Sequence, residues 1–216
     1  MATIGIIDYG MGNLHSLTRA LERVAPDRRV ELSYDPDRLA KADRLVLPGV
    51  GGVRHCMAEL ERLELTDFVR ERLGEVPLMG ICLGMQVLLE YSEENNGVDA
   101  LGVFPGRVCR FPEPPPLAPG QEFRRKVPHM GWNRVHFERE HPLLRGIDQD
   151  SWFYFVHSYF ARPRYEEHVL GNTEYGDRFC SVLIRDRVFA TQFHPEKSGR
   201  AGLQMLVNFV NWDGDA

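Results

Sequence analysis

The chain has 216 residues, 43% hydrophobic and 26% charged, which suits a soluble globular protein with room for one sizeable core rather than two. Its net charge of -5 offers no electrostatic basis for holding nucleic acid or an anionic membrane surface. No apolar run approaches the ~20 residues that span a bilayer.

Met1 to Ile7 has no basic lead before Asp8 and reads as a first strand, not a signal peptide. The strand over Thr3–Asp8 is followed by a helix over Asn13–Val24, where Leu14, Leu17, Leu21 and Val24 recur at helical spacing behind an Asn13 cap. Arg29–Tyr34 and Asp43–Leu47 are short strands. Arg54–Leu73 is one or two helices, Val76–Ile81 a strand, and Leu83–Tyr91 a helix. Strands alternating with helices predict a mostly parallel central sheet with helices on both faces.

The second half changes character. Gly102–Phe111, Trp132–Phe137, Ser151–Ala161, His168–Thr173, Phe179–Ile184 and Val188–Phe193 read as strands with short polar connections, which predicts an antiparallel region. A last helix covers Ser198–Trp212. The proline-rich stretch Pro112–Gly120 reads as an extended surface loop. The whole is expected to be one α/β domain spanning residues 1–216.

The four cysteines, Cys56, Cys82, Cys109 and Cys180, contain no C-x-x-C pair, so neither a zinc site nor a disulfide framework is expected, and the cytoplasm is the expected location. No metal or cofactor is expected. Cys82 differs from the others in standing between a strand and a helix, flanked by Gly80 and Gly84. A nucleophile at such a turn is held strained, the following helix start favours its thiolate, and the Leu83 amide can face an oxyanion. On that pattern alone a small buried cysteine fits equally well.

His194, in Phe193-His194-Pro195-Glu196, stands at the end of a strand with Glu196 in reach to fix its tautomer. By itself this is a polar turn; with Cys82 it completes a Cys-His-Glu set. Gly49, Gly51 and Gly52, around Val50, expose amides after a strand, suited to an oxyanion or a substrate carboxylate. Gly10-Met11-Gly12-Asn13 lacks the third glycine of a dinucleotide fingerprint, its place being taken by His15, so nucleotide binding there is rejected.

Together Gly80-Ile81-Cys82-Leu83-Gly84-Met85-Gln86, Phe193-His194-Pro195-Glu196 and the glycine loop resemble the class I, triad-type glutamine amidotransferases. Further segments are similar to the glutaminase-subunit family of imidazole glycerol phosphate synthase. They are Ile7-Asp8-Tyr9-Gly10-Met11-Gly12-Asn13, Val127-Pro128-His129-Met130-Gly131-Trp132-Asn133, Phe155-Val156-His157-Ser158-Tyr159 and His194-Pro195-Glu196-Lys197-Ser198. The resemblance spans essentially the whole chain. The proline-rich loop and Gly199, where the family often has glutamine, depart from it without touching the triad.

The resemblance implies glutamine hydrolysis through a γ-glutamyl thioester on Cys82, with His194 and Glu196 as base and orienting carboxylate. It implies an oxyanion hole from Leu83, Val50 and Gly51, and glutamine held by Gly49, Gly52, Gln86, Glu94 and Ser158. The implied partner is a (β/α)8 cyclase in a heterodimer, met through Asn13, His129, Met130, Trp132 and Asn133. Weak activity without that partner is a further expectation. A glutaminase of another synthase and a silent interaction subunit are the alternative readings.

Overall fold

The computed structural model describes residues 2–113 and 126–215. Its first half alternates β1 (Thr3–Ile7), α1 (Leu14–Val24), β2 (Arg29–Ser33), α2 (Pro36–Leu39), β3 (Arg44–Leu47), α3 (Val53–Arg62), α4 (Leu65–Arg72), β4 (Leu78–Ile81) and α5 (Leu83–Gln86). Asn13 caps α1 by accepting from the Ser16 amide. The α3–α4 run breaks at Glu64, whose φ of 58° leaves the helical region.

The second half is β5 (Leu89–Ser92), β6 (Val98–Asp99), β7 (Phe104–Arg110), β8 (His129–Arg134), β9 (His136–Phe137), β10 (Trp152–His157), β11 (Tyr159–Pro163), β12 (Val169–Tyr175), β13 (Asp177–Arg185), β14 (Val188–Thr191) and α6 (Gly199–Asn211). The large sheet runs β2-β1-β3-β4-β14-β13-β11-β7-β5-β6. Its β2-β1-β3-β4-β14 part is parallel. β13, β11 and β7 join antiparallel. β8 and β10 form a separate antiparallel pair.

Alternate strand residues face opposite sides, and this sorts the core into two layers. Ile4, Ile6, Val46 and Met79 pack with Leu17 and Leu21 of α1 and Leu206 and Phe209 of α6. Ile7, Leu45, Leu47 and Leu78 pack with Val53, Cys56 and Leu60 of α3 and Phe68 and Val69 of α4. This is the α/β class expected, with the parallel strand ends gathered beside Cys82.

Three expected elements are corrected; one is the strand over Trp132–Phe137, which divides at Val135 into β8, paired with β10, and β9, paired with β12 in the large sheet. The helix over Leu83–Tyr91 stops at Gln86, and Leu89–Ser92 becomes a strand because β7 pairs with it at Phe104, Arg107 and Val108. The apolar run around Val87 to Leu89 is buried whichever conformation it takes, so periodicity could not separate the two. The strand over Ser151–Ala161 is two strands in different sheets, β10 and β11, with Ser158 at the crossing. From residue 114 onward the proline-rich stretch lies outside the described residues.

Candidate active site

β4 carries Cys82 to the end of the parallel ladder, where its N–H donates to the Thr191 carbonyl of β14 at 2.7 Å. Its backbone sits at φ 55°, ψ -106°, a conformation that costs a non-glycine residue energy. The turn is tight enough to exclude side chains on both flanks. A Cβ on Gly80 would come within 2.9 Å of the Gly84 carbonyl oxygen, and one on Gly84 would fall on the Leu47 carbonyl oxygen of β3. α5 is a single turn, so the helix-dipole support expected for a thiolate reduces to the first amides of that turn.

His194 reaches the same place from the end of β14. Its N–H donates to Tyr154 O of β10 at 3.0 Å, and its carbonyl accepts from Ser198 Oγ at 2.6 Å. Ser198 Oγ in turn accepts from the Tyr154 N–H at 3.0 Å, so two residues pin the backbone of His194. His194 Nδ1 lies 2.9 Å from Glu196 Oε1, both side chains being only 3% exposed. An ionised carboxylate accepts, which puts a proton on Nδ1 and leaves Nε2 as the nitrogen that exchanges protons. Nε2 has no hydrogen bond of ordinary geometry among the described residues. Cys82 is nonetheless close enough to couple with it: burial acts to lower the imidazolium's pKa, and the Cys82 sulfur and Glu196 outweigh it and push the value up to about 10.

The glycine loop after β3 approaches from the third side. Tyr9 Oη donates to the Pro48 carbonyl at 2.5 Å and fixes the loop's base. Gly49 is hemmed in by that hydroxyl and by Leu83 Cβ, which would lie 2.9 Å from a Cβ placed there. Gly51 has φ 94°. The Leu83 N–H, expected to face an oxyanion, donates instead to the Gly49 carbonyl at 3.4 Å. A carbonyl dipole thus occupies the place of the developing anion, and the Gly49–Val50 peptide must turn before that amide is free.

The sequence matches the family model of class-I glutamine amidotransferases over residues 5–212. The chain belongs to the class-I glutamine amidotransferases. It is 50% identical to imidazole glycerol phosphate synthase subunit HisH of Methylococcus capsulatus, over 99% of this chain and 98% of that one. It is 51% identical to subunit HisH 1 of Pseudomonas aeruginosa over 99% of each. PurLQS from Thermotoga maritima has a similar fold, with a TM-score of 0.71 at 16% identity over 97% of this chain and 98% of that one.

In this class-I glutamine amidotransferase the other expected substrate residues differ in what their polar atoms already bond. Glu94 accepts from the Val53 N–H at 2.6 Å, capping α3, whose own cap residue Gly52 has no side chain. Ser158 is half-buried at the β10–β11 crossing, its carbonyl accepting from the Phe111 amide at 3.0 Å. Gln86 is buried, and its amide N–H groups are spent internally on Tyr159 O at 2.8 Å and Gln192 Oε1 at 3.1 Å. Only its Oε1 remains for a ligand. Sequence reasoning missed Gln192, whose Nε2 lies 3.8 Å from Cys82 Sγ. Thr191 and Gln192, polar at the end of an otherwise apolar run, were the available signal.

The expected partner residues divide by face. Met130 and Trp132 are 62% and 52% exposed on the outer side of the β8–β10 pair, where register sets them against Val156 and Tyr154. Trp152, 50% exposed, extends the patch. Asn13 is exposed and Asn133 half-buried. His129 is a correction: only 2% exposed, it points inward from the opposite face of β8. Exposed aromatics of this kind anchor interfaces. Trp132→Ala is therefore expected to weaken binding of the second synthase subunit by roughly 10- to 100-fold while leaving the free chain's melting midpoint unchanged. Sedimentation or calorimetric titration measures the first quantity, a thermal scan the second.

Proposed function

We propose that the chain hydrolyses the side-chain amide of glutamine and passes the ammonia to a cyclase partner of (β/α)8 form. That partner makes imidazole glycerol phosphate and an aminoimidazole carboxamide ribotide in histidine biosynthesis. The observation that carries the chemistry is the convergence of a strained Cys82 and a buried His194–Glu196 pair coupled to its sulfur. The HisH relatives at about half identity support the pathway and the partner. Residues 1–216 act as a single domain, in the cytoplasm.

Cys82 attacks as a thiolate, its proton held on His194 Nε2, and forms a bond to the amide carbon. The carbonyl electrons move to oxygen, and amides of Leu83 and of the Val50-Gly51 segment receive that oxyanion. As the C–N bond breaks, His194 gives its proton to the departing nitrogen and ammonia leaves. Water then attacks the thioester, loses a proton to His194, and the C–S bond breaks to release glutamate. Glu196 keeps Nε2 aimed at the sulfur throughout. Gly49, Gly52, Gln86 Oε1, Glu94 and Ser158 hold the amino acid end of glutamine.

The Gly49 carbonyl on the Leu83 amide makes the free chain a slow glutaminase. Docking of the cyclase against Met130, Trp132 and Asn13 turns the loop and releases that amide. One oxyanion donor is worth about 10²–10³ in rate, so glutamate release by the ligand-bound complex is expected to exceed that of the free chain by about 10² or more. In the same assay, glutamine labelled with nitrogen-15 in its amide is expected to deliver the label into the imidazole ring. Equal rates with and without the partner would refute the gating, and an unlabelled ring would refute the transfer.

A further inference from the structure

Behind Cys82 lies a run of hydrogen bonds that the steps above do not use. Gln192 is fully buried, its backbone N–H donating to Ser181 O at 2.9 Å. Which way its side-chain amide points is decided elsewhere. The Tyr159 carbonyl can only accept, and it receives Gln86 Nε2 at 2.8 Å. The remaining N–H of that group therefore meets Gln192 Oε1 at 3.1 Å, which turns Gln192 Nε2 toward the Cys82 sulfur at 3.8 Å. The Gln192 N–H faces the nucleophile because turning Gln86 sets oxygen against the Tyr159 oxygen, and turning Gln192 alone sets N–H against N–H.

The same carbonyl also orients two histidines. His157 Nδ1 lies 2.8 Å from Tyr159 O and so carries the proton. His157 Nε2 then accepts, and its neighbour at 3.0 Å, His129 Nδ1, must donate. His129 Nε2 accepts in turn from Asn133 Nδ2 at 3.2 Å, an amide oriented by a second bond to Glu174 O at 2.9 Å. One proton arrangement satisfies every member, and adding a proton to either ring would set N–H against N–H. Burial keeps both rings neutral, holding their pKa values down to about 4 for His129 and about 3 for His157.

We propose that Gln192 is a positioning residue for the nucleophile: its N–H steadies the Cys82 thiolate, and the Tyr159 carbonyl, acting through Gln86 and held in place by the His129–His157 pair, fixes that N–H in direction. The inference rests on Cys82 being the nucleophile. The track ends on β8, the strand whose outer face carries Met130 and Trp132, so the partner-facing strand and the sulfur share one hydrogen-bonded line. The pair transfers no proton. It acts as a rigid spacer whose tautomers leave a single arrangement.

The test uses the complex with the cyclase subunit and three variants: Gln192→Met, which removes the N–H at similar volume; Gln192→Glu, which replaces the donor by an acceptor; and His157→Phe, which cuts the line farther back. Iodoacetamide alkylation of Cys82 is measured beside kcat and KM for glutamine. Loss of a hydrogen bond to a charged group predicts alkylation and kcat falling together about 10- to 100-fold in Gln192→Met. KM is expected to stay within about threefold. Gln192→Glu falls further, and His157→Phe lowers the same two quantities.

Wild-type alkylation in Gln192→Met, or a change confined to KM, would overturn the proposal. If a variant fails to assemble with the cyclase, nitrogen-15 spectra of the wild-type imidazoles decide. Both histidines are expected to be protonated at Nδ1, and an Nε2–H tautomer at either overturns the proposal. Cys82→Ala runs alongside: glutaminase surviving there sinks the nucleophile assignment itself, whereas a dead Cys82→Ala with an unaffected Gln192→Met sinks only the positioning role.

Discussion

Gly84→Ala is expected to destabilise the chain by about 3 kcal/mol or more and to lower its melting midpoint by roughly 6–12 °C. The added methyl would fall on the Leu47 carbonyl oxygen, a backbone atom of the central strand β3. Leu47 is paired with Gly80 in the parallel ladder, so it cannot retreat without opening β3 from β4. The helix turn cannot retreat either, because the Met85 and Gln86 amides are bonded to Cys82 O at 3.0 and 3.2 Å. A side chain at residue 84 thus strains the turn that holds Cys82, and glutaminase activity is expected to vanish with the stability. Thermal scans and glutamate release check both effects; a midpoint within about 2 °C of the wild type would mean that the turn is far softer than its geometry.

Glu196→Gln is expected to lower glutamine-dependent kcat by about 10²- to 10⁴-fold, with the ammonium-driven reaction of the complex unaltered. The amide can still bond Nδ1, but it can present an N–H there and it carries no charge to balance the imidazolium. Burial lowers the His194 pKa, and Cys82 and Glu196 together push it up to about 10. Because that folded value lies above the ~6.5 of a free imidazole, the charged ring adds stability that is complete below about pH 6.5 and lost as pH rises through about 10. Removing the carboxylate lowers the folded value. The stability gap between Glu196→Gln and wild type is therefore widest near pH 6 and closes toward pH 10, and urea titrations across that range measure it.

Much of this site was legible because its chemistry is written in short local patterns. Gly80 and Gly84 around Cys82 announce a backbone too close to its neighbours for side chains, and the structure supplies those neighbours in Gly84 O and Leu47 O. The His194–Glu196 contact spans two residues, so its partners were visible side by side. Gln192 and the His129–His157 pair were not legible, because their meaning depends on a register. His129 and His157 are opposite one another only once β8 and β10 pair antiparallel, and the Tyr159 carbonyl meets Gln86 only once the chain crosses sheets at Ser158. The period-2 run Phe153, Phe155, His157 did mark His157 as inward-facing, which with hindsight was a signal.

The fold shows the same division. α1 with its Asn13 cap, α6 and the first parallel strands follow from local pattern, because each carries its own apolar residues at regular spacing. The error at Leu89–Ser92 arose where burial surrounds the chain on every side, so that pairing with β7 and not local pattern decided the conformation. The Gly49 carbonyl on the Leu83 amide lay beyond sequence altogether, since a peptide orientation leaves no trace in residue identity.

The most direct test of the central claim is Cys82→Ala in the complex with its cyclase, assayed with glutamine and separately with ammonium salt. A sulfur that forms the thioester is indispensable to the first reaction and irrelevant to the second. The expected result is loss of glutamine-driven synthesis with ammonium-driven synthesis at the wild-type rate. Glutamine-driven synthesis persisting in Cys82→Ala would contradict the assignment of Cys82, and with it the reading of His194 and Glu196 as its partners.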